Sequence, residues 1–376
     1  KQKKQKIVLG YFSANFHNHA VAYLISEIFE KHDRKKFDLI AFSFGPNTND
    51  GMQNRLKGIF DSFIDVTEKS DVEVALLSRN MGVDIAIDLM GHTQDGRPGI
   101  FAQQAAPVQM NYLGYPGTLG APYMDYIIAD RTVIPESNRQ FYSEKIIYLP
   151  NCYQANDGKR AISSKAIMRS EVGLPDTSFV FCCFNQNYKI TPQVFDGWMQ
   201  ILQKVERSVL WLLEDSATAI ANLKKEAQAR GVAPERMVFA RRMPLPEHLA
   251  RHQLADLFLD TLPYNAHTTA SDALWAGLPV LTCAGKSFAS RVASSLLNAV
   301  GLSELAVGSD EEYIEAAVNL ATDHARLGTI RSKLEAHQSE HPLFDTVSYV
   351  QGLEKAFVKM HALSIAGEPA TTFYID

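Results

Sequence analysis

The sequence predicts an α/β protein built from two doubly wound domains in series. Three observations carry this. The chain has 376 residues, too many for one ordinary core. Strand-like and helix-like segments alternate through both halves, the signature of parallel sheets covered on both faces. The alternation stops once, in the polar and aperiodic stretch around NCYQANDGKR, and then restarts.

Strands are expected at residues 6–12, 37–44, 63–66, 83–90, 108–113, 126–129 and 145–149. Between them, residues 20–31 place Val21, Leu24, Ile25, Ile28 and Phe29 at helical spacing, and 72–80 form a further helix. This is an N-terminal domain over residues 1–150, with a linker at 151–176. The second domain, 177–345, has strands at 179–184, 209–213, 237–240, 257–260 and 279–283. Its helices are expected at 192–204, 217–230, 245–252, 271–276, 290–300 and 311–322. The segment 346–376 is read as a C-terminal helix that packs back toward the N-terminal domain.

Composition narrows the function classes. The hydrophobic share of 46%, charged share of 21% and net charge of -5 describe an ordinary globular protein rather than a polycation that tracks nucleic acid. The basic KQKK start is too short for a binding arm. No apolar run reaches spanning length and no leader pattern is evident, so no membrane partner is expected. Four cysteines without a CxxC pair argue for a reducing, cytoplasmic setting and against a zinc site.

In open α/β sheets ligands bind outside the carboxyl ends of the strands, so the loops after strands are where chemistry is sought. After LFLD comes YNAHTTASD. Thr268 and Thr269 start a helix whose unpaired N–H groups suit a diphosphate, His267 can reach a sugar hydroxyl, and Asp272 a ribose hydroxyl. The structural alternative is a plain N-cap and a first-turn dipole partner. After FVFCC comes FNQNYK, where Lys189 can put a cation on a departing diphosphate, or be a solvated loop lysine. After the first strand, NFHNH offers a histidine as general base, or an exposed loop residue. LGYPGTLG, at 113–120, is a tight turn whose backbone can approach a ligand closely. Gly91, His92 and Thr93 form a weaker case of the same kind, and His248 and Arg251 either face a base or lie on a solvated helix face. Two motifs fail. AGKS at 284–287 lacks the first P-loop glycine, because position 280 is Val280, and no GxGxxG follows the first strand.

LGYPGT, MDYIIAD, YSEK, CCFNQNYKI, VLWLL, LADLFLDTLPYNAHTTASDALWAG and ASRVA together resemble the catalytic region of the O-linked N-acetylglucosamine transferases. The resemblance runs from Ile7 to about Leu363. It implies the GT-B fold, two Rossmann-like domains facing across a cleft. It also implies an inverting, metal-independent transfer from UDP-N-acetylglucosamine to Ser or Thr of a polypeptide, with no cofactor. Carried over by motif, Gln186 and Lys189 bind the diphosphate and Lys189 stabilises the leaving group. His267 binds the sugar, Thr268 and Thr269 the phosphates and Asp272 the ribose. His248 and Arg251 lie by the base. Leu113, Gly114 and Pro116 line the sugar pocket, and His19 matches the histidine considered as catalytic base. Asn15 stands where many members carry an acidic residue, and Leu245 where some carry a basic one. The family's upstream tetratricopeptide-type repeats, which bind protein acceptors, are expected to be absent from this chain. Rival readings are a SPINDLY-type O-fucosyltransferase using GDP-fucose, an asparagine N-glucosyltransferase, a hydrolysing or epimerising nucleotide-sugar enzyme, and a non-catalytic nucleotide- or peptide-binding module.

Overall fold

The computed structural model describes residues 6–336 and 341–376, so the basic start at 1–4 lies outside the described residues. In chain order the strands are β1 (Ile7–Ser13), β2 (Phe37–Ser43), β3 (Ser62–Asp65), β4 (Ile85–Asp88), β5 (Val108–Asn111), β6 (Tyr126–Ala129) and β7 (Lys145–Tyr148). They continue as β8 (Phe179–Cys183), β9 (Ser208–Leu213), β10 (Met237–Ala240), β11 (Leu257–Leu259), β12 (Val280–Cys283), β13 (Ala306–Val307) and β14 (Phe373–Tyr374).

The chain divides into two compact units, one of residues 1–159 with 342–376 and one of residues 160–341. Among the described residues each unit has one wholly parallel sheet. The first runs β14-β7-β6-β5-β4-β1-β2-β3 and the second β10-β9-β8-β11-β12-β13. In the first sheet the strand order reverses between β1 and β4, and in the second between β8 and β11. These reversals open a crevice at the carboxyl ends of the strands.

The strands are buried on both faces, which is why they read as continuous apolar runs: every residue of β9 (SVLWLL) is buried. In the first unit Phe12 of β1 stacks on Phe42 of β2, with ring centroids 4.5 Å apart. In the second, Trp198 and Trp211 are fully buried. Helix starts follow capping chemistry. Ser70 and Glu73 form a reciprocal box before Asp71–Asn80, and Thr191 caps Pro192–Lys204, with proline in the first turn.

The boundaries drawn from sequence need correction. Residues 151–159 are not a linker: Cys152, Tyr153, Gln154, Ala155, Asn156 and Asp157 are buried in the first unit. Asp157 accepts from Arg55 (2.5 Å) and Ser26 (3.1 Å), and Glu27 accepts from Gly158 N (2.7 Å) and Thr346 Oγ1 (2.9 Å). Their polarity comes from internal partners rather than from solvent. The chain re-enters the first unit at 342, so 342–345 leave the predicted second domain. Helix Thr346–Ala366 then buries Val350, Leu353, Phe357 and Met360 in that unit, and β14 extends its sheet beside β7.

Three helices escaped the periodicity reading: Gly51–Lys57, Pro98–Ala102 and His324–Ala336. The first two are too short to show a period. The third buries Leu327, Ile330 and Leu334 along an otherwise polar sequence. No described helix is long and apolar enough to cross a membrane.

Candidate active site

The second unit gathers most of the predicted donor residues at its switch point. β8 delivers Asn185, Gln186 and a short 3-10 turn, Asn187–Lys189, while the neighbouring β11 delivers Asp260 and the loop to helix Thr268–Trp275. Asp260 is buried, and its carboxylate organises that loop. Oδ1 accepts from Thr261 N (2.7 Å) and Ala266 N (2.6 Å), and Oδ2 from Thr282 Oγ1 (2.6 Å). Burial pushes its pKa up to about 6, against the pull of those donors and of Lys189. Asn185 bridges the two strand ends, donating to Thr261 Oγ1 (2.8 Å) and accepting from Thr269 Oγ1.

Lys189 rests in the cradle so formed. Its Nζ donates to Asn265 O (2.8 Å) and lies 4.1 Å from the Tyr264 ring centroid. Burial lowers its pKa to about 8, with Asp260 opposing. Its charge is thus set between a carbonyl and a π face, not neutralised by a contacting carboxylate. Gln186 is exposed beside it.

His267 stacks on Tyr264, 4.8 Å between centroids, and its Nε2 lies 3.1 Å from Ala289 O. A carbonyl can only accept, so Nε2 carries the proton and Nδ1 holds a lone pair. Burial, and then Lys189, depress its pKa to about 3, which keeps the ring neutral. Helix Thr268–Trp275 begins at His267 with no side-chain cap. The first-turn amides at Thr268 and Thr269 are therefore not taken up by a capping side chain, which suits an anion.

Asp272 sits differently from the simple ribose acceptor read from sequence. It is buried, its Oδ1 holds Arg160 at 2.5 Å, and His248 Nε2 is 3.9 Å from Oδ2. Burial raises its pKa to about 6, with Arg160 opposing. The Arg160 guanidinium also lies over the Trp275 ring (5.4 Å), and its carbonyl accepts from Trp275 Nε1. Arg160 was missed because it lies in the stretch read as linker.

His248 packs edge-on to Phe184 and His252, and burial drives its pKa far down. Arg251 is a correction. Its side chain is 1% exposed, donates to Arg241 O (2.6 Å) and lies over Phe184 at 4.3 Å, so it faces the interior and not a base. His248 and His252 have an i,i+4 spacing that suggests metal ligation, yet His252 Nδ1 bonds His248 O at 2.7 Å. No group of three or more His, Cys, Asp or Glu side chains suited to a metal occurs among the described residues.

The first unit presents its own rim at β1, β4 and β5, where Phe12, Asp88 and Asn111 are in register. Leu113 has a left-handed φ of 69°, and a Cβ on Gly114 would stand 1.8 Å from Leu89 O, so the turn holding Leu113, Gly114 and Pro116 requires glycine at 114. Asn111 Nδ2 donates to Gly117 O (3.1 Å), and Glu144 accepts from Leu119 N (2.6 Å) and Thr118 Oγ1 (2.6 Å). His19 caps helix Ala20–Lys31, its Nδ1 accepting from Val21 N at 3.2 Å. Asn15 donates to Met90 Sδ (3.2 Å).

Two parallel sheets with prepared loops at both switch points are the architecture of nucleotide-sugar transferases. The model of glycosyl transferase family 41 matches residues 1–166 and 157–353, and this chain belongs to that family. SEC of Arabidopsis thaliana, described as a probable UDP-N-acetylglucosamine–peptide N-acetylglucosaminyltransferase, is 37% identical over 99% of this chain. SPINDLY of Petunia hybrida, described in the same words, is 30% identical over 96%. Each match takes in 39% of the relative, so the chain spans about two fifths of the length of these proteins. Among solved structures, a mutant Thermobaculum terrenum O-GlcNAc transferase superposes with a TM-score of 0.88 at 32% identity, covering 96% of this chain and 68% of that one. Anabaena HepE in complex with UDP and glucose shares the fold, with a TM-score of 0.62 at 13% identity over 94% of this chain and all of that one. The fold is GT-B, as the resemblance implied.

Proposed function

We propose that this chain transfers N-acetylglucosamine from UDP-N-acetylglucosamine to a Ser or Thr hydroxyl of a polypeptide, with inversion and without a metal. The observation that carries this is the cradle at the β8/β11 switch point. Lys189 is held on Asn265 O and Tyr264, His267 is neutral beside it, and the uncapped helix start follows at Thr268 and Thr269. The family and the names of its relatives supply the sugar and the peptide acceptor.

The chemistry runs as a single displacement. The acceptor hydroxyl gives up its proton to a base as its oxygen attacks the anomeric carbon, the bond from that carbon to the diphosphate oxygen breaks, and the electron pair leaves on the diphosphate. Lys189 and the amides at Thr268 and Thr269 oppose the growing negative charge, the work a metal does elsewhere. Gln186 joins the diphosphate site and His267 the sugar site. Asp272, fixed by Arg160, meets the ribose, with His248 near the base. In the first unit the turn of Leu113, Gly114 and Pro116 presents backbone that a ligand can approach closely.

Calorimetric titration with UDP, GDP and UDP-N-acetylglucosamine tests the reading, with transfer to peptides assayed in excess chelator. UDP is expected to bind well and GDP weakly. His267→Ala should weaken the sugar nucleotide more than bare UDP. Preference for GDP would turn the assignment to a fucosyl donor, and chelator-sensitive transfer would remove the metal-free mechanism.

A further inference from the structure

The AGKS run at 284–287, which fails as a phosphate-binding loop, follows β12, the sheet neighbour of β11, and lies in the second unit with the Lys189 cradle. The loop it opens is closed on itself. Ala284 N donates to Val307 O (2.9 Å), which pins the start of the loop to β13, and Gly285 N donates to Ser290 O (2.8 Å). Ser290 is buried inside. Its Oγ donates to Ser287 O (2.9 Å) and accepts from Ser287 N (2.9 Å) and Ser287 Oγ (3.0 Å), so the one donor and both lone pairs of the hydroxyl are used. A Cβ on Gly285 would stand 2.4 Å from Ser290 Oγ and 3.1 Å from Leu262 Cδ1, so the loop closes only over glycine. The amides of Gly285 and Ser287 are thus spent within the loop, where a phosphate-binding loop would offer them to its ligand.

What the loop gives to the cradle is the carbonyl of Ala289. That one oxygen accepts from Asn265 N (2.9 Å) and from His267 Nε2 (3.1 Å), which uses both of its lone pairs. Asn265 in turn gives its own carbonyl to Lys189 Nζ (2.8 Å). Lys189 and His267 therefore depend on the same backbone oxygen, one through Asn265 and the other directly. Asp260 frames the segment at Thr261 N and Ala266 N, and Ala289 O holds the residues on either side of Ala266.

We infer that residues 284–290 are a clamp that positions Lys189 and His267 for the donor through the Ala289 carbonyl, with Ser290 and Gly285 as its positioning residues. The inference rests on the donor-site reading above. The clamp acts without touching the donor. It fixes the His267 proton on Nε2, which leaves the Nδ1 lone pair to accept from a sugar hydroxyl, and it fixes the carbonyl on which the Lys189 cation rests. Lys286, the residue that would meet a phosphate in a true phosphate-binding loop, is exposed and has no part in this.

The test uses full chains of Ser290→Ala, Gly285→Ala and Lys286→Ala. Titration calorimetry gives their affinities for UDP and for UDP-N-acetylglucosamine. Nitrogen-15 spectra of histidine-labelled protein, with the His267 signals identified from His267→Gln, show which ring nitrogen carries the proton. Wild-type His267 should be a single Nε2–H form. In Ser290→Ala, which removes only the hydroxyl, the ring should exchange between its two neutral forms. The same variant should bind the sugar nucleotide about tenfold more weakly and UDP only about threefold more weakly. Gly285→Ala should shift both readouts the same way; if it does not fold, Ser290→Ala decides. A general loss of stability would move neither the His267 proton nor the ratio of the two affinities. Lys286→Ala should match the wild type throughout. An unchanged His267 ring with an unchanged affinity ratio in Ser290→Ala overturns the clamp. Loss of UDP binding in Lys286→Ala also overturns it, because the run would then be a phosphate-binding loop after all. A wild type that binds neither nucleotide overturns the donor-site reading, and the His267 spectra, taken without nucleotide, still decide whether Ser290 holds that ring.

Discussion

At Lys189, one side chain's surroundings make a pH-dependent prediction. Burial brings its pKa down to about 8, while Asp260 pulls the other way without cancelling the effect. The cationic form is the one that meets a diphosphate, so donor affinity should hold below that value and fall as pH rises through it. UDP dissociation constants measured between about pH 7 and about pH 9 should show this loss. Lys189→Arg keeps its charge at every accessible pH and should bind with a flat profile, whatever its absolute affinity. A flat profile in the wild type would show that the lysine stays charged or does not touch the phosphates. Lys189 was legible in the sequence because it follows a buried strand. Arg160 was not, because only its distant partner Asp272 reveals its role.

At the scale of an element, the loop between β11 and helix Thr268–Trp275 is a single hydrogen-bonded unit closed by Asp260. Removing that carboxylate strands two backbone amides and the Thr282 hydroxyl, all shielded from water. Asp260→Ala should cost on the order of 3 kcal/mol and weaken UDP binding, since Asn265 and His267 lose their frame. Asp260→Asn, which keeps an acceptor for the amides, should lose less. Denaturant melting of the two variants checks the order, and equal stability would show that the carboxylate does not hold the loop. The turn at Leu113–Pro116 depends on a different device, the absence of a Cβ at Gly114. Its glycines and proline announced a turn, but the Leu89 carbonyl that forbids a side chain belongs to another strand.

For the molecule as a whole, the two units differ in how the chain builds them. The second is one continuous stretch, 160–341, whereas the first takes its last strand and its long helix from 342–376. Those returning residues are integral to it. Tyr349 Oη meets Tyr112 Oη at 2.7 Å, Glu354 accepts from Asp33 N (2.7 Å) and sits 3.0 Å from His32 Nδ1, and Phe357 packs near Phe37. Residues 160–341 expressed alone should melt cooperatively and bind UDP. Residues 1–159 alone should not melt cooperatively, because the apolar surface that covers Leu353, Phe357 and Met360 would lie open to water. Calorimetry of the two fragments decides it, and a cooperative transition in 1–159 would show that the returning segment is dispensable.

The sequence by itself determined the two parallel-sheet domains, the order of most strands and helices, and the loops that carry Lys189, His267 and the 113–120 turn. These depend on local signals: apolar runs of strand length, helical spacing, and glycine or proline at turns. Only the tertiary structure decided where the first unit ends, because Asp157 and Glu27 look like surface residues until Arg55, Ser26 and Thr346 are seen beside them. It likewise decided that Arg251 faces inward, that Arg160 holds Asp272, and that the His267 proton sits on Nε2. A titratable group's role depends on partners brought near through space, and nothing in its neighbours along the chain encodes them.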